Sequence, residues 1–349
     1  MERKLATIRR VASIEPIFDQ DGIEAENIAL AAFEDIAWKC VVKKTEFSVG
    51  DLCVYIEVSS IVPDVPCFEF MRARGFKVKV ARFLKTTFSN GLALPLSILE
   101  AFGDAGLIEE GMDVTAHMNV VPKPDPIIPN RNEIAGAFDT DIIAKTDEMR
   151  LQSVYRILDE LQGKEAVATE KIDGTSITLL VSEEEGTLRP RVFGRNWELR
   201  QREDNVYWRT ALGDGIFEAI TDSGGMLVVQ GELAGRGVSN GGSKVNREPH
   251  IYVFNLFDRA AKRYFNYDDL LAWCAQYRIY YPPTIRRWAS FDGTVASLES
   301  LAQGPAFHDP KQQREGIVVR PTNRNTWSNV LGERISFKVI NDLFALKND

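Results

Sequence analysis

Lys171-Ile172-Asp173-Gly174 sets a lysine and an acid two residues apart inside the β-prone run 168–180, ATEKIDGTSITLL. Side chains alternate between the faces of a strand, so Lys171 and Asp173 share one face and Ile172 takes the other. Two readings suit the pair: a salt-bridged surface strand, or an amine nucleophile. More charges interrupt apolar strands further on: Arg195 after Gly194, Glu232 in VVQGELAG (228–235), Glu315 in REGIVVR (314–320) and Lys338 in ISFKVI (335–340). Each alone fits a wet strand face. Together they describe an apolar-lined pocket with convergent charges, which is what a nucleotide needs. The acids Asp173, Glu232 and Glu315 can hold a divalent metal, directly or through its waters, and the cations can hold phosphates.

These residues need sheets to position them. Strand patterns cover 166–181, 188–195, 226–233, 251–257, 316–320 and 334–340. Helical spacing covers 147–162, where Met149, Leu151, Val154, Ile157, Leu158 and Leu161 recur before Gly163, and also about 204–222 and 267–276. This part of the chain reads as α+β with mainly antiparallel sheets, because it lacks regular βαβ alternation. Ahead of it, 51–58, 76–83, 91–99 and 111–121 read as short strands between turn signals, the pattern of a small barrel; 24–36 fits a short helix or an irregular connection equally. Between the two parts, Pro122, Pro124, Pro126 and Pro129 make a stiff, extended linker. The expected domains are therefore 1–120, a linker over 121–146, and 147–349.

The chain has 349 residues, enough for two domains, with 44% hydrophobic and 26% charged residues, as in globular proteins with sizeable cores. Its net charge of −8 argues against a protein that coats nucleic acid nonspecifically. Two local basic tracks, 72–85 and 189–202, could still hold phosphates. Four cysteines and three histidines lie scattered, which disfavours a zinc site or a disulfide framework. No apolar run is long enough to span a bilayer and the N-terminus lacks an apolar signal region, so a cytoplasmic protein without a membrane partner is expected. The glycine-rich loop 235–246, GRGVSNGGSKVN, is not a phosphate-binding P-loop: its order is Gly242-Ser243-Lys244 rather than Gly-Lys-Ser.

The ordered set Lys-x-Asp-Gly, Arg, Gly-Glu, an aromatic-Asn-Leu segment, Glu-Gly-Ile-Val and a strand bearing Lys resembles the covalent nucleotidyltransferase superfamily of DNA ligases, RNA ligases and capping enzymes. Spacings of 61, 83 and 23 residues between Lys171, Glu232, Glu315 and Lys338 fit that pattern. With 11 residues after Lys338 there is no room for the C-terminal OB domain of DNA ligases and capping enzymes. A barrel in front instead resembles the family-5 ATP-dependent RNA ligases, an N-terminal OB-like domain followed by an adenylyltransferase domain.

The resemblance implies an enzyme that joins an RNA 3′-hydroxyl to a 5′-phosphate through a lysyl-AMP. It also implies ATP as AMP donor, Mg²⁺ or Mn²⁺, and a monomer acting on nicked duplex RNA. It assigns Lys171 as nucleophile and Lys338 to the α-phosphate. Glu232 and Glu315 would hold the metal through waters or touch the ribose, and Asp173 would serve ribose or metal water. Arg195 would contact ribose or the incoming strand, Arg150 the triphosphate, Phe254 (with Phe257 as neighbouring candidate) the adenine face, and Glu170 the adenine amine. Gly174 would let the backbone approach the nucleotide. Apolar surroundings, Lys338 and a metal would lower the Lys171 pKa. Many members read Lys-x-Lys in the last motif; here it is Ser336-Phe337-Lys338, and Arg334 is a candidate for the missing cation.

Overall fold

The computed structural model describes residues 3–124, 130–238 and 247–348. Pro126, Pro129 and positions 239–246 of the glycine-rich loop lie outside the described residues. The chain forms two compact units: residues 1–124 with 151–155 and 342–349, and residues 125–150 with 156–341. No helix among the described residues is long and apolar enough to cross a membrane.

The first unit is built on a five-stranded antiparallel sheet of β1 (Ala6–Phe18), β2 (Glu24–Phe33), β3 (Lys39–Lys43), β4 (Leu52–Ile56) and β5 (Leu92–Pro95), in the order β3-β2-β1-β4-β5. Alternate residues such as Ile8, Val54 and Ile56 point into a core with Phe68, Met71 and Met118. Residues 24–33, which fitted helix or an irregular connection, are a strand, and β2 pairs with both β1 and β3. The expected strand 76–83 divides into Lys77–Val78 and Val80–Phe83. Most of 111–121 is turn rather than strand.

The second unit carries two larger sheets. The strands of these two sheets, in chain order, are β6 (Ile134–Ala137), β7 (Met149–Arg150), β8 (Ala166–Glu170), β9 (Thr175–Glu184), β10 (Thr187–Phe193), β11 (Trp197–Leu199), β12 (Leu227–Ala234), β13 (His250–Asp258), β14 (Arg263–Tyr264), β15 (Thr284–Trp288), β16 (Gly316–Pro321) and β17 (Phe337–Ile340). Seven form one sheet in the order β6-β11-β10-β9-β12-β13-β14, and five form the other, β7-β17-β16-β8-β15. Helices α1 (Val206–Gly213), α2 (Ile216–Asp222) and α3 (Tyr267–Tyr277) supply Trp208, Phe217, Ile220, Leu270 and Trp273 to a core with Ile177, Leu179 and Val229 of the larger sheet. The Asn205 side chain caps α1 by accepting the N–H groups of Tyr207 and Trp208. Gly215, at φ +68°, splits the expected helix 204–222 into α1 and α2.

The helix expected over 147–162 is mostly absent. Only Ile157–Leu161 is α-helical. Met149 and Arg150 instead pair in parallel with Phe337 and Lys338, so the apolar periodicity is overridden by addition to a sheet edge.

Candidate active site

Lys171 stands where the chain leaves one sheet for the other. The single strand expected over 166–181 is two, β8 and β9, and 171–174 is the crossing between them. At Gly174 a Cβ would lie 2.3 Å from the Leu233 carbonyl oxygen on β12, so only glycine lets the chain cross so close to that strand. The close approach expected at Gly174 is thus to a neighbouring strand. The Lys171 N–H is anchored by the Gly316 carbonyl at 2.9 Å. Ile172 is buried with Ala234 and Tyr252, which leaves Lys171 and Asp173 in the lining of a pocket of about 300 Å³.

Of the residues singled out in the sequence, Glu170, Lys171, Asp173, Gly174, Arg195, Glu232, Phe254, Glu315 and Lys338 all line this pocket. Arg150 does not line it; it sits on β7 as the register partner of Lys338. Phe254 is in the lining and Phe257 is not, for a local reason. Gln230 pairs with Asn255 and Gly231 with Val253, so Phe254 is the extra residue of a β-bulge, which re-aims its ring. Phe257 packs on Tyr264 with ring centroids 4.9 Å apart. Both Glu170 carboxylate oxygens accept the Phe307 N–H, at 3.1 and 3.2 Å, and burial pushes its pKa up.

The charges in the pocket are paired. Lys171 Nζ lies 2.8 Å from Glu315 Oε1. One Asp147 oxygen is 3.3 Å from Lys338 Nζ and the other 2.9 Å from Arg195. Burial pulls the Lys171 pKa down, but Glu315 and Glu232 outweigh it and hold the ammonium above the ordinary lysine value. The expected lowering is therefore reversed in this arrangement, because the carboxylates are nearer than any cation. Burial lowers the Lys338 pKa, with Asp147 opposing and Lys171 and Arg150 assisting.

Glu232 is the exception to pairing. Its carboxylate has no hydrogen-bond or ion-pair partner among the described residues, and burial pushes its pKa up to about 8 against the pull of Lys171. Its proton is bound more tightly folded than unfolded, so the folded state loses stability as pH rises from the usual carboxylate range to about 8. Glu232→Gln removes that loss. In melts without divalent ions, its Tm advantage over wild type is expected to grow from about pH 5 to about pH 9; a pH-independent difference would contradict the assignment.

Sequence reasoning missed Asp147, Glu148 and Arg320, which also line the pocket. Arg320 is buried, with its guanidinium 5.3 Å from the Phe254 ring centroid. It donates to Glu148 and, through Nε, to Ser336 Oγ at 2.8 Å; Ser336 in turn donates to Glu148 at 3.2 Å. Ser336 thus joins an ion-paired network at the position where the resemblance led one to expect a lysine. Arg334 does not fill that place: its guanidinium lies over Tyr264. An arginine ending the β-branched run of 316–320 was the available signal for Arg320. The basic track 189–202 is largely neutralised by the fold, Arg189 by Glu184, Arg191 by Glu198, Arg195 by Asp147 and Arg202 by Asp204, and in the track 72–85 Arg72 pairs with Asp64 and Glu69.

The RNA ligase family pattern matches residues 164–340, and an OB-fold domain pattern matches residues 5–96. No curated protein sequence gives a match. Solved structures of a Naegleria gruberi RNA ligase do: a lysine-to-methionine variant with AMP and Mn at 27% identity, covering 99% of each chain with a TM-score of 0.82. The same enzyme with PPi, and an arginine-to-alanine variant with ATP and Mn, match over 99% of each chain at 27% identity and a TM-score of 0.81. An OB-fold pattern in the first part of the sequence, two sheets in the second unit that both line one pocket, and a lysine at the crossing between them with carboxylates around it lead to one assignment: the chain belongs to the RNA ligase family.

Proposed function

We propose that this protein seals RNA by joining a 3′-hydroxyl to a 5′-phosphate at the expense of ATP, with Lys171 as the adenylylated residue. At family level it is an ATP-dependent RNA ligase. The observation that carries the finer reading is the placement of Lys171 in one pocket with Glu315, Glu232, Lys338 and the bulged Phe254.

In the first step the Lys171 amine forms a bond to the α-phosphorus of ATP, and the bond to the β-phosphate breaks to release pyrophosphate. The amine must lose a proton first, and Glu315 Oε1, at 2.8 Å, is the acceptor already in contact. Lys338 and Arg195 meet the negative phosphate oxygens; such transfers depend on positioning and charge stabilisation. Phe254 gives adenine a face to stack on, and Glu170, in the same lining, would read its amine. Next an RNA 5′-phosphate oxygen attacks the same phosphorus and the Lys171 nitrogen leaves. Last, a 3′-hydroxyl attacks the activated 5′-phosphate and AMP departs.

The donor set suits a hard divalent cation such as Mg²⁺ or Mn²⁺. Glu232 is a half-buried carboxylate in the pocket lining without a hydrogen-bond partner among the described residues, and Asp173 and Glu315 line the same space. No three His, Cys, Asp or Glu side chains converge tightly among the described residues, so these acids would hold the ion partly through waters and substrate oxygens. When bound, the ion supplies positive charge against the α-phosphate and to the lysine.

The substrate is a nick in duplex RNA and the enzyme acts as a monomer. The test is incubation with α-labelled ATP or GTP, then with nicked RNA, nicked DNA or single-stranded RNA. Label on the protein from ATP alone, followed by sealing of nicked RNA, is expected. Label from GTP alone would indicate capping chemistry, preference for an all-DNA nick a DNA ligase, and no covalent adduct a binding protein without catalysis.

A further inference from the structure

Residues 143–148 form an irregular segment that contributes Thr146, Asp147 and Glu148 to the pocket wall. Its neighbours fasten it to the sheets. The Ala144 carbonyl accepts from Gln230 at 2.9 Å, Lys145 donates to Asn196 at 2.8 Å, Thr146 and Ser176 hydroxyls lie 3.2 Å apart, and Glu148 is paired with Arg320.

Asp147 makes a different kind of contact. Its side chain is 60% exposed, and its two oxygens divide between Lys338 and Arg195. Those are the two pocket cations that the proposed function sets against the phosphate oxygens, Arg195 there taking a phosphate in place of the ribose or strand contact expected from the sequence. Two oxygens of one anion bridging a lysine and an arginine is also how a phosphate would bind them. The burial that weakens the Lys338 ammonium is opposed first by Asp147, so this carboxylate is its main counter-charge.

We propose that Asp147 is a built-in stand-in for the nucleotide phosphate, holding Lys338 and Arg195 in place before ATP arrives and giving them up when it binds. ATP entry is then an exchange of anions, and Asp147 sets the affinity of the phosphate subsite. The exchange keeps two like-charged side chains from spreading apart, at a cost in affinity for every phosphate that enters. Because the segment continues into β7, whose Arg150 is in register with Lys338, moving Asp147 away shifts chain that is joined to the same strand edge.

This inference rests on reading the pocket as a nucleotide site, and calorimetry with α,β-methylene-ATP separates the two. The analogue cannot donate AMP, so binding is read without chemistry. Asp147→Asn and Asp147→Ala are each expected to bind it about tenfold more tightly than wild type, and Asp147→Glu about as wild type does. In single-turnover adenylylation the ATP concentration at half-maximal rate falls in step, while the saturating rate does not rise. Removing the lysine should remove the effect: in a Lys338→Gln background the Asp147→Asn gain shrinks to a fewfold at most. If folded Asp147→Asn and Asp147→Ala bind the analogue as weakly as wild type or more weakly, the proposal is overturned and the pocket reading stands. If wild type does not bind it at all, both fall.

Discussion

Lys171→Ala is expected to receive no label from α-labelled ATP, a loss of at least ~10³-fold in adenylylation, because no other side chain supplies the bond to AMP. Adenylylated wild-type protein, treated with acid or hydroxylamine, should release its label as a phosphoramidate does. The variant should remain folded, since Lys171 makes its ion pair in the pocket wall and the core of the larger sheet lies elsewhere. The decisive contrast is with a substrate that already carries AMP on its 5′-phosphate. The third step needs no lysine nucleophile, so Lys171→Ala should still seal that RNA. If the variant were adenylylated by ATP, the nucleophile would be misassigned; if it failed on pre-adenylylated RNA while folded, Lys171 would have a second role in the last step.

Arg320→Ala should be the most destabilising single change in the pocket. Arg320 is 3% exposed, paired with Glu148, bonded to Ser336 and stacked over Phe254. Removing one partner of a buried pair leaves the other charge uncompensated, at a cost of about 3–5 kcal/mol. For a unit of this size that lowers Tm by roughly 6–20 °C. The pH dependence gives the cause away. Burial would raise the Glu148 pKa, but Arg320 and Lys338 depress it to about 2, so Glu148 contributes stability above the ordinary carboxylate value that is lost as pH falls through about 2. Without Arg320, burial dominates and the carboxylate is the unfavoured form. The stability gap between variant and wild type should therefore be widest near neutrality and narrow as pH falls toward about 4. Urea melts at the two pH values measure it, and a gap that does not change would mean that Glu148 is not the partner that suffers. Phe254 also loses its cation, so the affinity for adenine nucleotide should drop in any Arg320→Ala protein that stays folded.

Much of the catalytic pocket was legible because its charges interrupt apolar strands in a fixed order. Lys171, Glu232, Glu315 and Lys338 lie far apart in the chain, and the two sheets bring them to one lining. What escaped was set by tertiary contact. The break at 171–174 could not be read from Thr169, Ile172 and Thr175, all of which favour a strand; the cause is the Leu233 carbonyl, sixty residues on. The helical spacing of 147–162 is genuine, yet the Asp147–Arg150 stretch gains more from pairing beside Lys338 and from its pocket contacts. Asp147 and Glu148 fall at the start of the stretch expected to be that helix, which hid them as partners of Lys338 and Arg320. The direction of the Lys171 pKa was missed because the sequence shows that a carboxylate exists but not that it lies at 2.8 Å.

The bulge at Phe254 has an evolutionary side. Which way that ring faces is decided by a count of residues along β13, one more than its partner strand provides. Substitution at 254 changes what the pocket wall presents but leaves the orientation alone. Gain or loss of a single residue between 250 and 255 would restore or shift the ladder and turn every later side chain to the opposite face. Drift in this strand is thus free to explore side chains at position 254 of the pocket wall, and is barred from changing length.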